Sequence, residues 1–206
     1  MSATAALLGR QILTAINSAA VINPVNLVSL VVLGMPKHAI VEVELANQLE
    51  LYIELARLAP YADRVGESSL DAAAMIAYCE RMQWLARRSH ALGDVLYMSE
   101  RNAVLASYYR NNVQHLFALP ALIAAAFTNR AEIAPVRLKA LIGELYPCLR
   151  TELFLRLRGP ALAAETERVI DAMLDLGVLE SRTGLLTRPS ETSERAAQLT
   201  RCADVV

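Results

Sequence analysis

The chain has 206 residues, 55% of them hydrophobic and 5% aromatic, with a formal net charge of −1 and a sequence pI near 6.3. That length holds one large domain or two small ones with a real core, and the Ala/Leu-rich, aromatic-poor composition predicts a mainly α fold rather than disorder or sheet. The near-neutral balance excludes the overall positive field that gathers nucleic acid or anionic lipid, so any basic patch has to be local.

In chain order, residues 3–22 predict a helix, and Asn23-Pro24 restarts a short second one ending near Gly34-Met35-Pro36. From Val41 the apolar positions Leu45, Leu49, Tyr52 and Leu55 recur every three or four residues, an amphipathic helix ending near Ala59-Pro60. After a polar link, Tyr61 to Glu67, Ser68 with Asp71 resembles a capping box for a helix through about Met82. Trp84 to Arg88 and Val95 to Met98, around His90-Ala91-Leu92-Gly93-Asp94, predict a hairpin.

The same order then recurs. Ser99 suits the cap of a helix running from Arg101 toward Thr128 and bent at Pro120. Pro135 opens another, with a stripe of Leu138, Leu141, Leu145, Leu149 and Leu153 and a bend at Pro147. A third spans Pro160 to Leu176, with Leu162, Val169, Met173 and Leu176 on one face and Gly177 suited to the position after the helix end. Val178 to Glu180 and Leu185 to Thr187 predict a second hairpin. The expected fold is therefore mainly α, two consecutive winged-helix-like units at residues 1–98 and 99–190, followed by a polar, poorly ordered tail at 191–206.

Gln11 to Pro36 and Asn111 to Asn129 contain no Asp, Glu, Lys or Arg. A spanning helix needs about 20 predominantly apolar residues, and both stretches are interrupted by Asn and Pro, so buried core helices are expected and no transmembrane segment. Cys79, Cys148 and Cys202 are scattered and odd in number, suggesting neither a metal site nor a disulfide framework but a reducing cytoplasm. Met1 to Arg10 lacks the pattern of a signal peptide.

The segment Ser107-Tyr108-Tyr109-Arg110-Asn111-Asn112-Val113-Gln114-His115-Leu116 sets a polar cluster inside an apolar helical run. Together with Ile16-Asn17-Ser18-Ala19-Ala20-Val21-Ile22-Asn23-Pro24-Val25-Asn26-Leu27, Leu92-Gly93-Asp94-Val95-Leu96 and the Leu145-Tyr146-Pro147 to Glu152-Leu153-Phe154-Leu155 segment, it resembles the C-terminal region of the large bacterial membrane-associated glycerol-3-phosphate acyltransferases. The resemblance runs from Ile12 to about Leu199. It implies transfer of a fatty acyl group from acyl-CoA or acyl carrier protein to the sn-1 hydroxyl of glycerol 3-phosphate in phospholipid biosynthesis. It also implies an upstream acyltransferase domain as partner, in the same or a split polypeptide, contact with a membrane surface, a place at the cytoplasmic face of the inner membrane, and no cofactor.

In that family a His serves as general base and an Asp five residues on holds its tautomer. Here His38 is followed at that spacing by Val43, His90 by Val95 and His115 by Pro120. The family's Gly-rich, Phe-containing and Glu-Gly-x-x-Ser-like blocks are missing too, so no catalytic residue carries over and the chain is expected to be inactive alone. Relatives continue through further helices beyond Leu199, where Arg201 to Val206 stops, as expected of a fragment trimmed at both ends by a split gene, a start assigned at Met1 or a frameshift near residue 200.

The polar cluster offers Tyr109, Arg110, Asn111, Asn112 and His115 as candidates for a network. Guanidinium and amide groups bind oxyanions well, but polar groups in an apolar surround are more often paired with one another, so a buried hydrogen-bonded clasp is expected. Arg81, Arg87, Arg88 and His90 gather where a winged helix would touch phosphates, yet the helix before them, Leu70 to Met82, carries few base-reading side chains. They are read as a solvated basic edge. Ser68, Ser69 and Ser107 have no neighbouring His or Asp and are read as caps or helix polar positions. The accessory region of an acyltransferase is the favoured function; the alternative is a stand-alone winged-helix nucleic-acid-binding or protein-interaction module.

Overall fold

The computed structural model describes residues 3–91 and 93–206; Leu92, part of the Leu92 to Leu96 segment and of the first hairpin, lies outside the described residues. After α1 (Ala3–Asn17) and β1 (Val21–Ile22), α2 (Pro24–Leu33) carries no charged side chain and is buried on almost every side. Its start is fixed locally. The Asn23 side chain accepts from the Asn26 backbone N–H at 3.1 Å, the Asn26 side chain accepts in return from the Asn23 N–H at 2.9 Å, and Pro24 fills a position that needs no donor.

A helix apolar all round has to be covered all round. For α2 the cover comes from α3 (Glu42–Leu58), α4 (Ala72–Arg81) and α5 (Glu100–Asn111). Between them β2 (Ala39–Val41), β4 (Ala86–Arg88) and β5 (Val95–Tyr97) form an antiparallel sheet in the order β2-β5-β4, while β3 (Gly66–Glu67) pairs in parallel with β1. The second half repeats the scheme around α6 (Ala118–Ala125), also free of charge, with β6 (Glu132–Ile133), α7 (Pro135–Leu153), α8 (Gly159–Asp175), β7 (Glu180–Arg182), β8 (Leu185–Thr187) and α9 (Glu194–Ala203). Its sheet order, β6-β8-β7, matches the first, and α7, α8 and α9 all pack on α6. Helix, strand, two helices and hairpin thus occur twice, the mainly α, winged-helix-like pattern expected.

Several elements depart from expectation. The first helix stops at Asn17 instead of 22, because Val21 and Ile22 are drawn into pairing with Gly66 and Glu67 ahead of the Asn23 cap. The N-cap of α4 is Asp71, which accepts from the Ala74 N–H at 2.8 Å, whereas the Ser68 hydroxyl accepts from the Leu70 N–H. The helix expected from 101 toward 128 is two helices separated by a short 3₁₀ turn, Gln114–Leu116. A continuous helix would set the Pro120 ring against the Leu116 carbonyl and lose a hydrogen bond; restarting at Ala118 puts Pro120 in the first turn, where no donor is required. The buried face of α7 is Leu138, Ile142 and Tyr146, while Leu145 of the expected stripe is exposed.

The expected tail is ordered instead. Ser193 caps α9 through the Ala196 N–H, and Ala196, Leu199 and Cys202 are buried. Polar contacts dock the helix on α3: Arg201 Nε donates to the Gln48 side chain at 3.1 Å, Gln198 donates to the Asn47 carbonyl at 2.7 Å, and Arg201 pairs with Glu44. Just as α5 closes over α2, α9 closes over α6, and a polar composition conceals its narrow apolar face. Leu199→Ala is expected to cost about 2–5 kcal/mol of unfolding free energy in a urea melt, against under about 0.5 kcal/mol for exposed Leu58→Ala; equal, small losses would show that α9 is not part of the core.

Candidate functional site

The polar cluster is not a clasp. Asn111 and Asn112 end α5 in solvent, Arg110 donates to the neighbouring Asn111 side chain at 3.3 Å, and Tyr109 is 41% exposed with its ring edge-on to Trp84. His115 alone is buried, because the helix ends before it and turns it the other way. Together with Val104, Leu105 and Tyr108, which are also exposed, the α5 surface is partly apolar and open to contact.

His115 is instead a junction. Its Nε2–H donates to the Asn17 carbonyl at 2.9 Å, and its ring stands edge-on to Tyr61. Asn17 in turn donates through its side chain to the Leu153 carbonyl at 2.8 Å, and Thr14 donates to the Phe154 carbonyl at 3.2 Å. Tyr61 accepts the Arg156 backbone N–H and lies under the Arg156 guanidinium. Four distant segments, the end of α1, Tyr61, the turn before α6 and the end of α7, therefore meet through polar groups.

This mode of attachment leaves α1 inverted. Its polar side faces the body, while Leu8, Ile12 and Ile16 lie 51–59% exposed on the outer side. Residues 11–17 are thus not the buried core helix that their lack of charge suggested. Between the inner side of α1 and the end of α7 opens a cleft of about 460 Å³, lined by Arg10, Arg150, Arg156 and Arg158 with Leu7 and Phe154. Phe154 ends α7 in the left-handed region (φ 52°), turning the chain sharply into the arginine-bearing loop. Sequence reading missed this cleft, since its members lie far apart along the chain; the only local signal is the spacing of Arg150, Arg156 and Arg158 around the Glu152 to Leu155 segment.

Arg81, Arg87, Arg88 and His90 of the expected basic edge are all exposed, and one of them, Arg87, is matched by carboxylates. Arg87 contacts Glu42 at 2.5 Å, Glu80 at 2.8 Å and Asp94 at 2.9 Å, tying the hairpin to α3 and α4 and holding the Glu42 and Asp94 carboxyls below their usual range. Arg81 lies over Tyr78 and Arg88 over Tyr97. Burial pushes the Cys79 and Cys202 thiols up to about 12, which leaves them protonated and unreactive. Among the described residues no group of His, Cys, Asp or Glu could hold a metal ion, and no helix is long and apolar enough to cross a membrane.

The family model for the glycerol-3-phosphate acyltransferase C-terminal region matches residues 2–206, past the Leu199 limit of the sequence resemblance. Proteins named glycerol-3-phosphate acyltransferase are similar to the chain: one from Pseudomonas paraeruginosa is 41% identical over 93% of the chain, one from Pseudomonas fluorescens 37% identical over 97%, and one from Pseudomonas putida 38% identical over the whole chain. The chain spans only 23–25% of the length of these relatives.

Burial lowers the His115 pKa from the usual 6.5, because its Nδ1 has no partner and a proton there would be stranded in the core. The unfolded chain therefore binds that proton more readily. The stabilising effect of the neutral ring is complete above pH 6.5 and is lost as pH falls through the lower folded value. His115→Gln is expected to flatten the pH dependence of unfolding free energy between pH 7.5 and 5, measured by denaturant titration; an unchanged slope would show that His115 does not titrate in this way.

Proposed function

From its membership of the glycerol-3-phosphate acyltransferase C-terminal region family, we propose that this chain is the accessory part of an acyltransferase and supports the chemistry without performing it. The family's reaction moves a fatty acyl group from acyl-CoA or acyl carrier protein to the sn-1 hydroxyl of glycerol 3-phosphate. Its general base and the Asp that orients it belong to a segment with the His-to-Asp spacing that none of His38, His90 and His115 has. The role here is architectural: the chain packs beside the upstream acyltransferase domain and organises it at the cytoplasmic face of the inner membrane. Division into two units, the first closed by α5 and the second by α9, belongs to the same reading.

The observation that carries this role is the outer face of α1. A helix held by its polar side with Leu8, Ile12 and Ile16 in solvent presents an apolar stripe that none of the described residues covers. The relatives are about four times as long as the matched stretch, and their additional length is the natural occupant. The nucleic-acid alternative is disfavoured by Arg87, whose charge is matched by three carboxylates at the base of the hairpin.

The purified chain should give no acyl transfer to glycerol 3-phosphate, and turnover by the chain alone would overturn the accessory role. Co-expressed with the upstream three quarters of the Pseudomonas paraeruginosa relative, it should co-elute as a complex. Ile12→Asp with Ile16→Asp should weaken that complex at least tenfold with an unchanged melting temperature, because both side chains are already exposed. Undiminished association of the double variant would remove α1 as the docking face.

A further inference from the structure

We propose that the cleft between α1 and the end of α7 is a binding site for a phosphate-bearing amphiphile, with the phosphate held by Arg10, Arg150, Arg156 and Arg158 and the apolar part laid against Leu7 and Phe154. The inference is independent of the accessory role, since it concerns the inner side of α1 and not the outer stripe.

What sets the cleft apart is that four arginines line one space with no carboxylate among its lining residues. Arg57, Arg87, Arg168, Arg182 and Arg201 each sit within ion-pair distance of a carboxylate. Among the described residues, none of the four cleft arginines does, and no carboxylate lines the cleft. Arg150 Nε is moreover buried without a hydrogen-bond partner, a donor left unsatisfied at the cleft wall.

Two further features add positive charge and hold it in place. Arg158 is the N-cap residue of α8, whose first turn contains no acidic side chain and whose cap makes no side-chain hydrogen bond, so the positive end of the helix is uncompensated. Arg156 is fixed over the Tyr61 ring at 5.3 Å, with its backbone N–H donating to the Tyr61 hydroxyl at 3.2 Å. Guanidinium groups present paired donors that match phosphate oxygens, and several converging on one space favour a multiply charged oxyanion over a single carboxylate.

The volume and the lining decide the rest. About 460 Å³ is of the size that holds small organic ligands rather than a bare ion. With Leu7, Phe154 and Leu155 beside the arginines, the space suits a phosphate joined to an alkyl or acyl chain. Free phosphate and a lipid head group share the anionic chemistry, and the apolar lining distinguishes them.

Isothermal titration of the 206-residue chain with dihexanoyl phosphatidic acid below its micelle concentration should show saturable binding. Inorganic phosphate and glycerol 3-phosphate should bind at least tenfold more weakly, as should dihexanoyl phosphatidylcholine, whose head group has no net charge. Arg150→Gln with Arg158→Gln should weaken phosphatidate binding at least tenfold, and Arg10→Gln, whose side chain lines the cleft but is solvent-exposed, should do so without any risk to the fold. Arg110→Gln, outside the cleft, should leave it unchanged. Absence of saturable phosphatidate binding, equal affinity for inorganic phosphate, or unaltered binding by Arg10→Gln would each overturn the assignment.

Discussion

The fold is governed by two short helices that no water should touch. Neither Pro24–Leu33 nor Ala118–Ala125 contains a charge, and almost every residue in each is buried. In a chain of this size such a helix cannot be left with an open side, because each exposed leucine or valine forfeits about 1.5–3 kcal/mol of burial. Three helices are therefore recruited around each: α3, α4 and α5 around the first, α7, α8 and α9 around the second. The small sheets are consequences of that wrapping. Each sheet takes one strand from just after the central helix and two from the hairpin that follows the third helix, so that the chain leaves and returns on one side.

Polar contacts then decide what packing alone would leave open. Apolar burial is non-directional, and it is the Asn17, His115 and Tyr61 junction that fixes where the end of α7 and the start of the 154–158 loop stand relative to α1. The same logic sets α9, whose apolar contribution is narrow but whose Gln198 and Arg201 find specific partners on α3. Because α1 is attached through hydroxyl, amide and backbone groups, Leu8, Ile12 and Ile16 have no inner surface to join. The outward stripe is thus a consequence of how the helix is held.

What could be read from the sequence was whatever is encoded within a few residues. Asn23-Pro24, Ser99 and Pro135 announce helix starts because capping acts over three positions, and Gly177 marks a helix end because its backbone angle (φ 68°) suits glycine. The recurrence of helices and hairpins was legible for the same reason. Tertiary cover was not. An absence of charge says that a segment avoids ions, and it does not distinguish α2, which is buried, from residues 11–17, which are not. Asn111, Asn112 and His115 looked like one network on the assumption of a continuous helix, and the break before His115 separates them. The arginine cleft could not be seen at all, since Arg10 meets Arg150 only after the whole chain has folded.

Local electrostatics sets Arg87 against the arginines of the cleft. Arg87 has three carboxylates arranged about it, so its charge is spent on holding a hairpin against two helices, and nothing remains to attract a ligand. In the cleft the opposite holds: arginines from α1, α7 and the loop beyond line one space beside an uncapped helix start, with no acid among the lining residues. Folding alone gives no reason to gather like charges, since their mutual repulsion opposes the compact state. Substituting any one by a neutral residue would relieve that repulsion, which is why such an arrangement is better explained by an anion that enters than by the stability of the chain that surrounds it.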